Sequence, residues 1–313
     1  MMKYKDWIKE WLENYVKGSL KQRTYTRYAE IVCGHIIPTL GEYNIEEITP
    51  LKLQRYTREL LQKGNKRTGK GLSANSVNGI ITVVQTSLKT AFKVGIVKEY
   101  AGDRIRRPKV QEKQVICFTK QEQRAIEQEI FRRNNPKLYG IIISLYTGIR
   151  IGELLALTWA DIDMLRGVLT VNKTCYEGRD KTGKYVRITE IPKTNSSIRE
   201  VPIPKQLLML MKAWKKKSHS KYVVSNGEKG VSLRGYQRIF ERLLNKIKIA
   251  HKGFHALRHT FATRALECGM DVKTLSEILG HKNTNITLNR YVHSLIEHKR
   301  EMMNRVGRLI SEL

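Results

Sequence analysis

The sequence is short of acidic residues, has no closely spaced cysteines and contains no long apolar run. Against 58 lysines and arginines stand only 29 aspartates and glutamates, a formal net charge of +29. The four cysteines lie far apart with no CxxC pair, which excludes a disulfide framework and a zinc ribbon and fits a reduced cytosolic compartment. No apolar run approaches the ~20 residues of a membrane span, and charges interrupt the N-terminus too often for a signal peptide.

Nucleotide-binding motifs are missing as well. The sequence has no GxxxxGK[ST] and no GxGxxG ahead of a predicted helix, so it gives no sign of nucleotide hydrolysis. What it does have is an excess of basic charge in both halves, together with 41% hydrophobic residues, enough for a core in each half. A folded chain with this charge favours a long polyanion as its partner, and nucleic acid is the commonest one.

The first third of the chain has apolar residues at helical spacing throughout. A basic loop with three glycines, residues 64–71, precedes a long helix for which Ser73 is the expected N-cap. Residues 106–113 are charged, contain a proline and have little to bury, which predicts an interdomain linker. The sequence therefore predicts an all-helical domain over residues 1–105.

The pattern changes in residues 114–313. A Thr-x-x-Glu capping box at Thr119 opens a helix, and an apolar helical stretch follows over 139–157. Alternating segments then predict a three-stranded antiparallel meander, with turns near 178–183 and 195–196, before helices return. The three segments are 167–174, 185–191 and 198–203. The predicted fold class is therefore two domains, an all-α domain followed by a mixed α+β domain.

Two segments of the second domain carry basic residues at turns. Arg150 lies between two glycines at the end of an apolar stretch, and an ion pair with Glu153 is its simplest interpretation. Lys193 lies in the turn between the second and third predicted strands, where a lysine is usually solvated. From there it could also reach a ligand bound on the adjacent helices.

Two further segments carry histidines and a tyrosine. His255 and Arg258 are three residues apart and share one face of a helix. His259 completes a zinc-like i,i+4 spacing, but no glutamate follows His255, so an HExxH metalloenzyme is excluded and His259 is expected in the core. Gly280 is expected to end the next helix, which leaves His281 exposed just beyond it, and Tyr291 falls in a short following helix.

This order of arginine, lysine, HxxR, histidine and tyrosine closely resembles the tyrosine recombinases, the phage integrase family, over essentially the whole chain. The resemblance implies a helical core-binding domain followed by a catalytic domain with the family's fold. The positions that match the family's catalytic motif are Arg150, Lys193, His255, Arg258, His281 and Tyr291, with Glu153 at a supporting acidic position.

The resemblance implies transesterification at a DNA phosphate through a 3′-phosphotyrosine on Tyr291, without metal or ATP. The two arginines would bind the non-bridging oxygens, while His281 would donate a hydrogen bond to one of them. Tyrosine has a free pKa near ~10, so His255 is expected to accept its proton, and Lys193 is expected to protonate the leaving 5′-oxygen.

The resemblance also implies partners. These are double-stranded DNA and three further copies of the chain, which form a homotetramer on two DNA sites through a C-terminal helix (293–313) docked in trans. A small accessory excision factor or a host DNA-bending protein is a further candidate, a membrane is not, and the expected location is the bacterial cytoplasm at the nucleoid. Expected phosphate contacts of the two-domain clamp are Lys66, Arg67, Lys70, Arg104, Arg106 and Arg107.

Four functions fit these features. The first is the integrase of a prophage or conjugative transposon, which the extended meander favours over a second, an Xer-like resolvase or an invertase with the same chemistry. A type IB topoisomerase shares the residue set, but the predicted helix after Tyr291 indicates assembly instead. A DNA-binding protein without catalysis is the fourth, and the complete set of six residues is evidence against it.

Overall fold

A computed structural model of the chain describes residues 2–111, 115–179, 184–191, 198–281 and 283–291, with 300, 303–304, 306–308 and 310 near the C-terminus. The chain divides into two compact units, Met1–Lys113 and Gln114–Leu313. Lys193 and most of the predicted helix 293–313 lie outside the described residues. No helix in the described ranges is long and apolar enough to cross a membrane.

The first unit is built from helices, as the spacing of its apolar residues predicts. They are α1 (Tyr4–Trp11), α2 (Gln22–Ile31), α3 (Ile37–Leu40), α4 (Pro50–Lys63) and α5 (Ala74–Lys93), with π-helical turns at Leu12–Val16 and Val32–Ile36 and 3₁₀ turns at Ile45–Glu47 and Gly102–Arg104. The predicted N-cap of α5 is confirmed, since the Ser73 hydroxyl accepts from the backbone N–H of Ser76.

Aromatic residues of α1 anchor that helix to α5 within this unit. Trp7 is 1% exposed and its indole N–H donates to the carbonyl of Ser87 at 3.3 Å. One turn later the indole of Trp11 donates to the Thr90 hydroxyl at 3.1 Å. Each ring therefore buries its apolar surface while its one polar group finds a partner on α5, as buried tryptophans require.

The start of the predicted linker is held against the same unit. The amide of Asn78 on α5 donates to the carbonyl of Pro108, and the backbone N–H of Arg106 donates to Gln54 on α4. The Arg107 side chain donates to Thr82 and Gln85 on α5. These contacts fix the path of the chain as it leaves the helical unit.

The second unit combines eight helices with short antiparallel sheets in its described residues. Its helices are α6 (Lys120–Arg133), α7 (Tyr139–Thr147), α8 (Ile151–Ala156), α9 (Lys205–Lys216), α10 (Leu233–Lys246), α11 (His255–Glu267), α12 (Val272–Leu279) and α13 (Thr284–Tyr291), with 3₁₀ turns at Pro136–Leu138 and Trp159–Asp161. Its strands are β1 (Ile162–Asp163), β2 (Val168–Val171), β3 (Thr174–Arg179), β4 (Tyr185–Glu190), β5 (Arg199–Pro202), β6 (Ser225–Asn226) and β7 (Lys229–Gly230).

The predicted capping box of α6 is confirmed, but two other expectations for this unit are wrong. Thr119 accepts from Glu122 N–H while the Glu122 carboxylate accepts from Thr119 N–H. The single helix expected over 139–157 is two helices, because Gly148 turns the chain with a left-handed backbone (φ +65°).

The prediction of a single three-stranded meander is also wrong. The three-stranded sheet has the order β1-β2-β5, while β3 and β4 form a separate hairpin. The first predicted segment divides at Asn172 and Lys173, which lie between β2 and β3 and whose side chains both donate to the carboxylate of Asp161. Strand β2 therefore pairs directly with β5, Val171 opposite Arg199, without β4 between them.

The α7 helix packs so closely that it has no room for one more carbon. A Cβ on Gly140 would lie 2.5 Å from the Tyr236 hydroxyl and 2.6 Å from Val224 Cγ2. We expect Gly140→Ala to lower the free energy of unfolding by about 1–3 kcal/mol, the usual cost of overpacking. Urea denaturation followed by circular dichroism measures it.

Gly253 provides the matched control, since a Cβ there meets no heavy atom within 4 Å. Gly253→Ala should leave the unfolding midpoint almost unchanged. Equal midpoints for the two variants would show that α7 does not pack as tightly around Gly140 as these distances indicate.

Candidate active site

The first predicted arginine lies where α7 ends and α8 begins. A Cβ on Gly148 would lie 2.4 Å from Cδ1 of Phe261 on α11, so both space and backbone conformation require glycine there. Two residues later Arg150 is the N-cap of α8, and its backbone N–H donates to the Glu153 carboxylate at 2.9 Å. The turn thereby leaves the Arg150 side chain 39% exposed beside a buried helix.

The second predicted arginine is almost entirely buried. Arg258 on α11 is 2% exposed, and its Nη1 donates to the carbonyl of Gly148 at 2.9 Å. Its Nη2 donates to the carbonyl of Leu279 at 2.8 Å and lies 2.9 Å from Nε2 of His281. Arg258 therefore joins the α7–α8 turn to the end of α12.

The ring of His281 has its protonation pattern set by two neighbours. An arginine only donates hydrogen bonds, so Nε2 of neutral His281 is the acceptor from Arg258. Its Nδ1 then carries the proton and donates to the hydroxyl of Thr287 on α13, 2.8 Å away. Gly280, with φ +64°, ends α12 as predicted, but His281 is half-buried and not exposed as expected, because Arg258 and Thr287 bind its ring.

A third arginine, which the sequence did not single out, belongs to the same cluster. Arg199 at the start of β5 binds both oxygens of the Glu153 carboxylate, at 3.2 and 2.9 Å. Its Nε donates to the carbonyl of Ile278 at 2.6 Å. Because Glu153 also accepts from Nη1 of Arg150 at 2.8 Å, one carboxylate connects two guanidinium groups.

The electrostatics keep that carboxylate ionised. Burial alone would raise the pKa of Glu153, but hydrogen bonds and charge from Arg199, with the charge of Arg150, outweigh it and lower the pKa from 4.5 to about 2. Two guanidinium groups thus bind one negative charge, and Arg258 adds a third positive charge to the same cluster, so the site has a surplus of positive charge. Such a surplus suits an anionic group of a substrate.

The predicted general base lies on the same helix as Arg258. His255 is the first residue of α11 and is exposed, and its ring lies 4.5 Å from the ring of His259 in an edge-on arrangement. His259 is half-buried, so its expected place in the core is wrong. One turn of helix brings it next to His255 instead.

Three of the predicted catalytic residues and the supporting Glu153 share one network of hydrogen bonds: Arg150, Arg258 and His281 with Glu153. Arg150 completes it through Nη2, which donates to the carbonyl of Gly280 at 3.2 Å. Tyr291 is the last residue of α13, but its side chain lies outside what the structure describes. Lys193 falls between the described ranges 184–191 and 198–281.

The predicted DNA-contact residues lie in the first unit and are exposed. Lys66, Arg67 and Lys70 belong to the loop between α4 and α5, and the other three are Arg104, Arg106 and Arg107. The side chain of Arg107 is engaged with α5, whereas Arg106 is held through its backbone.

A signal for Arg199 was present in the strand pattern. Alternation along β5 places Arg199 on the same face as Val201, which is 1% exposed. A charged residue on the core face of a strand needs a buried partner of opposite charge. That partner is Glu153, 46 residues earlier in the chain.

Comparisons with known proteins identify the family of this chain. The phage integrase family matches residues 97–298, and its N-terminal SAM-like domain matches residues 3–61. A XerC-like tyrosine recombinase of Caldanaerobacter subterraneus subsp. tengcongensis is 30% identical over 94% of this chain and 80% of its own length. The ICEBs1 integrase of Bacillus subtilis is 26% identical over 93% of this chain and 79% of its own.

The fold also resembles a solved structure. The Tn1549 transposon integrase, in complex with a circular intermediate DNA, superposes with a TM-score of 0.79 at 21% identity, over 98% of this chain and all of the other. Fold and site together define a DNA strand transferase. The chain belongs to the phage integrase family and is a tyrosine recombinase.

The buried carboxylate makes a testable contribution to stability. At pH 7 we expect Glu153→Gln to lower the free energy of unfolding by about 3 kcal/mol, the free-energy equivalent of a pKa lowered from 4.5 to about 2. A lowered pKa stabilises the fold above pH 4.5, and the stabilisation is lost as pH falls toward 2. The difference between the two proteins should therefore shrink to roughly half or less by pH 3 in urea denaturation curves.

Glu200 is the matched control, because it pairs with Arg166 while 52% of its side chain is exposed. Glu200→Gln should change stability by less than about 1 kcal/mol, with little dependence on pH. If Glu153→Gln behaves like this exposed variant, the carboxylate is not held as the structure describes.

Proposed function

We propose that this chain is the integrase-type recombinase of a mobile element, a prophage or a conjugative transposon. It would cut and rejoin DNA through a covalent bond between Tyr291 and a 3′-phosphate. The observation that supports this most is the convergence of Arg150 and Arg258, which bind the carbonyls of the adjacent residues Gly280 and Leu279. The relatives from ICEBs1 and Tn1549 support the mobile-element role.

The two arginines would stabilise the transition state. Attack on phosphorus moves negative charge onto the non-bridging oxygens, and planar guanidinium groups bind such oxygens with paired hydrogen bonds. Because neighbouring carbonyls already hold both guanidinium groups, ordering them costs little when a phosphate binds, and removal of one such donor costs ~10²–10³ in rate in comparable sites. Arg150 is the more exposed of the two and is therefore the first to meet a phosphate.

Proton transfers would be divided among three residues. His255 accepts the phenolic proton of Tyr291, a role that usually contributes ~10²–10⁴ in rate. Lys193 gives a proton to the leaving 5′-oxygen. His281 donates to a phosphate oxygen from Nε2, which requires the tautomer with its proton on Nε2 and the loss of the hydrogen bond from Arg258 when substrate binds.

The two units would divide the work on DNA. The helical unit, 1–105, is proposed as the core-binding domain, 106–113 as the linker and 114–313 as the catalytic domain. The exposed loop residues Lys66, Arg67 and Lys70 would contact phosphates on the helical side, and Arg104, Arg106 and Arg107 would do so near the linker.

Strand exchange between two sites also sets the assembly. Two duplexes present four strands to cut, and each protomer has one Tyr291, so we propose a homotetramer. The amphipathic sequence 293–313 would dock on a neighbouring protomer. A small excision factor or a host DNA-bending protein would then bias the direction of the reaction, in the bacterial cytoplasm where the nucleoid lies.

A nicked duplex tests the covalent step. When the target strand carries a nick next to the scissile phosphate, the leaving fragment diffuses away and the adduct is trapped. We expect a covalent adduct at the 3′-phosphate with the natural chain and none with Tyr291→Phe, as read by denaturing electrophoresis of labelled DNA.

Each outcome separates the proposal from an alternative. Binding of the target site without any adduct would indicate a DNA-binding protein without catalysis. Relaxation of every supercoiled plasmid, without sequence preference, would indicate a topoisomerase. Exchange confined to two chromosomal sites would indicate an Xer-like resolvase.

Salt dependence tests the phosphate contacts of the loop. If about 6–10 phosphates are bound, affinity should fall ~10³–10⁵ between 50 and 200 mM salt. Replacing Lys66, Arg67 and Lys70 with alanine should flatten the slope of log K against log salt by about 0.9 for each phosphate that the variant no longer binds. Fluorescence anisotropy with a labelled site measures both slopes.

The matched control removes equal charge from lysines that already have carboxylate partners: Lys3 and Lys5 with Glu42, and Lys17 with Glu13. This triple alanine variant should leave the slope nearly unchanged. Equal flattening in both variants would mean that net charge, and not phosphate binding by the loop, sets the slope.

A further inference from the structure

The C-terminal end of α12 collects three arginines in a row. The carbonyl of Ile278 accepts from Arg199, at 2.6 Å. The carbonyls of the next two residues, Leu279 and Gly280, accept from Arg258 at 2.8 Å and from Arg150 at 3.2 Å. Three guanidinium groups from β5, α11 and the start of α8 are thus placed by three consecutive carbonyls.

Helix ends favour this arrangement. The last carbonyls of a helix lack partners within the helix, and the helix dipole makes that end negative, so cations bind there. The backbone at Gly280 must stay open, because a Cβ there would lie 2.9 Å from Nη1 of Arg199. The end of α12 and Arg199 are therefore fitted to each other.

Exposure divides the three arginines into two kinds. Only 7% of the Arg199 side chain is exposed, against 39% for Arg150. The two terminal nitrogens of Arg199 donate to the two carboxylate oxygens of Glu153, and Glu153 in turn binds Arg150. Arg150 faces the place of a substrate, whereas Arg199 lies behind it and holds its partner.

We propose that Arg199 is a positioning residue for strand cleavage. It contacts no substrate. It fixes the Glu153 carboxylate, which aims Arg150, and it fixes the end of α12, which places the carbonyl that holds Arg258 and the residue that precedes His281. This inference rests on the proposed function, in which Arg150 and Arg258 bind the scissile phosphate.

The expected loss follows from geometry. Without Arg199 the Glu153 carboxylate keeps one charged partner, and Arg150 is no longer held from behind. A displacement of about 1 Å at a reacting group costs about 10²-fold in rate. We expect Arg199→Ala to slow adduct formation by about that factor on a nicked duplex. Arg199→Lys should also be slow, because an ammonium cannot bind both carboxylate oxygens and the Ile278 carbonyl with the same fork.

A neutral phosphate analogue separates positioning from folding. In a methylphosphonate a methyl group replaces one non-bridging oxygen, so the linkage carries no charge and depends less on the arginines. If Arg199 acts through Arg150, the ratio of the natural rate to the Arg199→Ala rate should be at least tenfold smaller on this substrate than on the natural phosphate. The phosphorus stereoisomer that shows this decrease should be the one that shows it for Arg150→Ala. Binding of uncut DNA and the melting temperature report folding separately.

Arg166→Ala is the matched control. Arg166 makes the same two-bonded pair with a carboxylate, Glu200, but 63% of its side chain is exposed. The Arg166→Ala variant should cleave both substrates at the rate of the natural protein.

Three results decide the question. Equal loss for Arg199→Ala on both substrates, with Arg150→Ala narrowed as expected, would show that Arg199 only supports the fold. Natural rates for both Arg199 variants would also overturn the inference and leave the proposed function intact. Adduct formation by Tyr291→Phe would overturn the proposed function itself.

Discussion

The ion pair between Glu153 and Arg199 is the interaction on which the second unit depends. Each partner is less than a tenth exposed, so neither charge is tolerable without the other. The pair ties a strand to a helix, and the same carboxylate caps α8 through the backbone of Arg150. Local helix formation and the aim of the exposed arginine are therefore set by one buried group.

Two glycines make this geometry available. Gly148 and Gly280 each take a left-handed backbone at the end of a helix, and each releases a carbonyl toward an arginine. An arginine at a helix end donates to carbonyls that lack partners within the helix, so both groups complete their hydrogen bonds. This arrangement helps a site to hold several positive charges close to one another. The surplus charge is tolerated because helix dipoles and one carboxylate offset it.

Local signals in the sequence predicted the local features of the fold. Ser73 and Thr119 cap their helices because a hydroxyl next to an apolar repeat satisfies a free N–H with no help from distant residues. The division of the chain into a helical part and a mixed part followed from a change of periodicity. The convergence of Arg150 with Arg258 was expected only through the family resemblance, since no spacing rule joins residues so far apart.

Long-range pairing explains what was missed. The meander was wrong because β5 had two available partners and pairs with β2, while Asn172 and Lys173, which separate β2 from β3, bind Asp161. The helix over 139–157 was overextended because apolar residues on both sides hid the break at Gly148. Arg199 was overlooked because alternation along β5 indicates only that it faces the core, while the partner that makes it part of the site, Glu153, lies 46 residues away.

The hydrogen bond from Arg258 to His281 has a consequence for selectivity among anions. Both terminal nitrogens of this guanidinium bind acceptors within the protein, and Nδ1 of the imidazole binds the hydroxyl of Thr287. An anion that accepts from Nε2 of His281 has to replace the hydrogen bond from Arg258. A phosphate within a long polymer is held at many other points, so this exchange weakens its binding less than it weakens the binding of a small free anion. Hydrogen bonding inside the protein therefore favours phosphates of a polymer over small free anions.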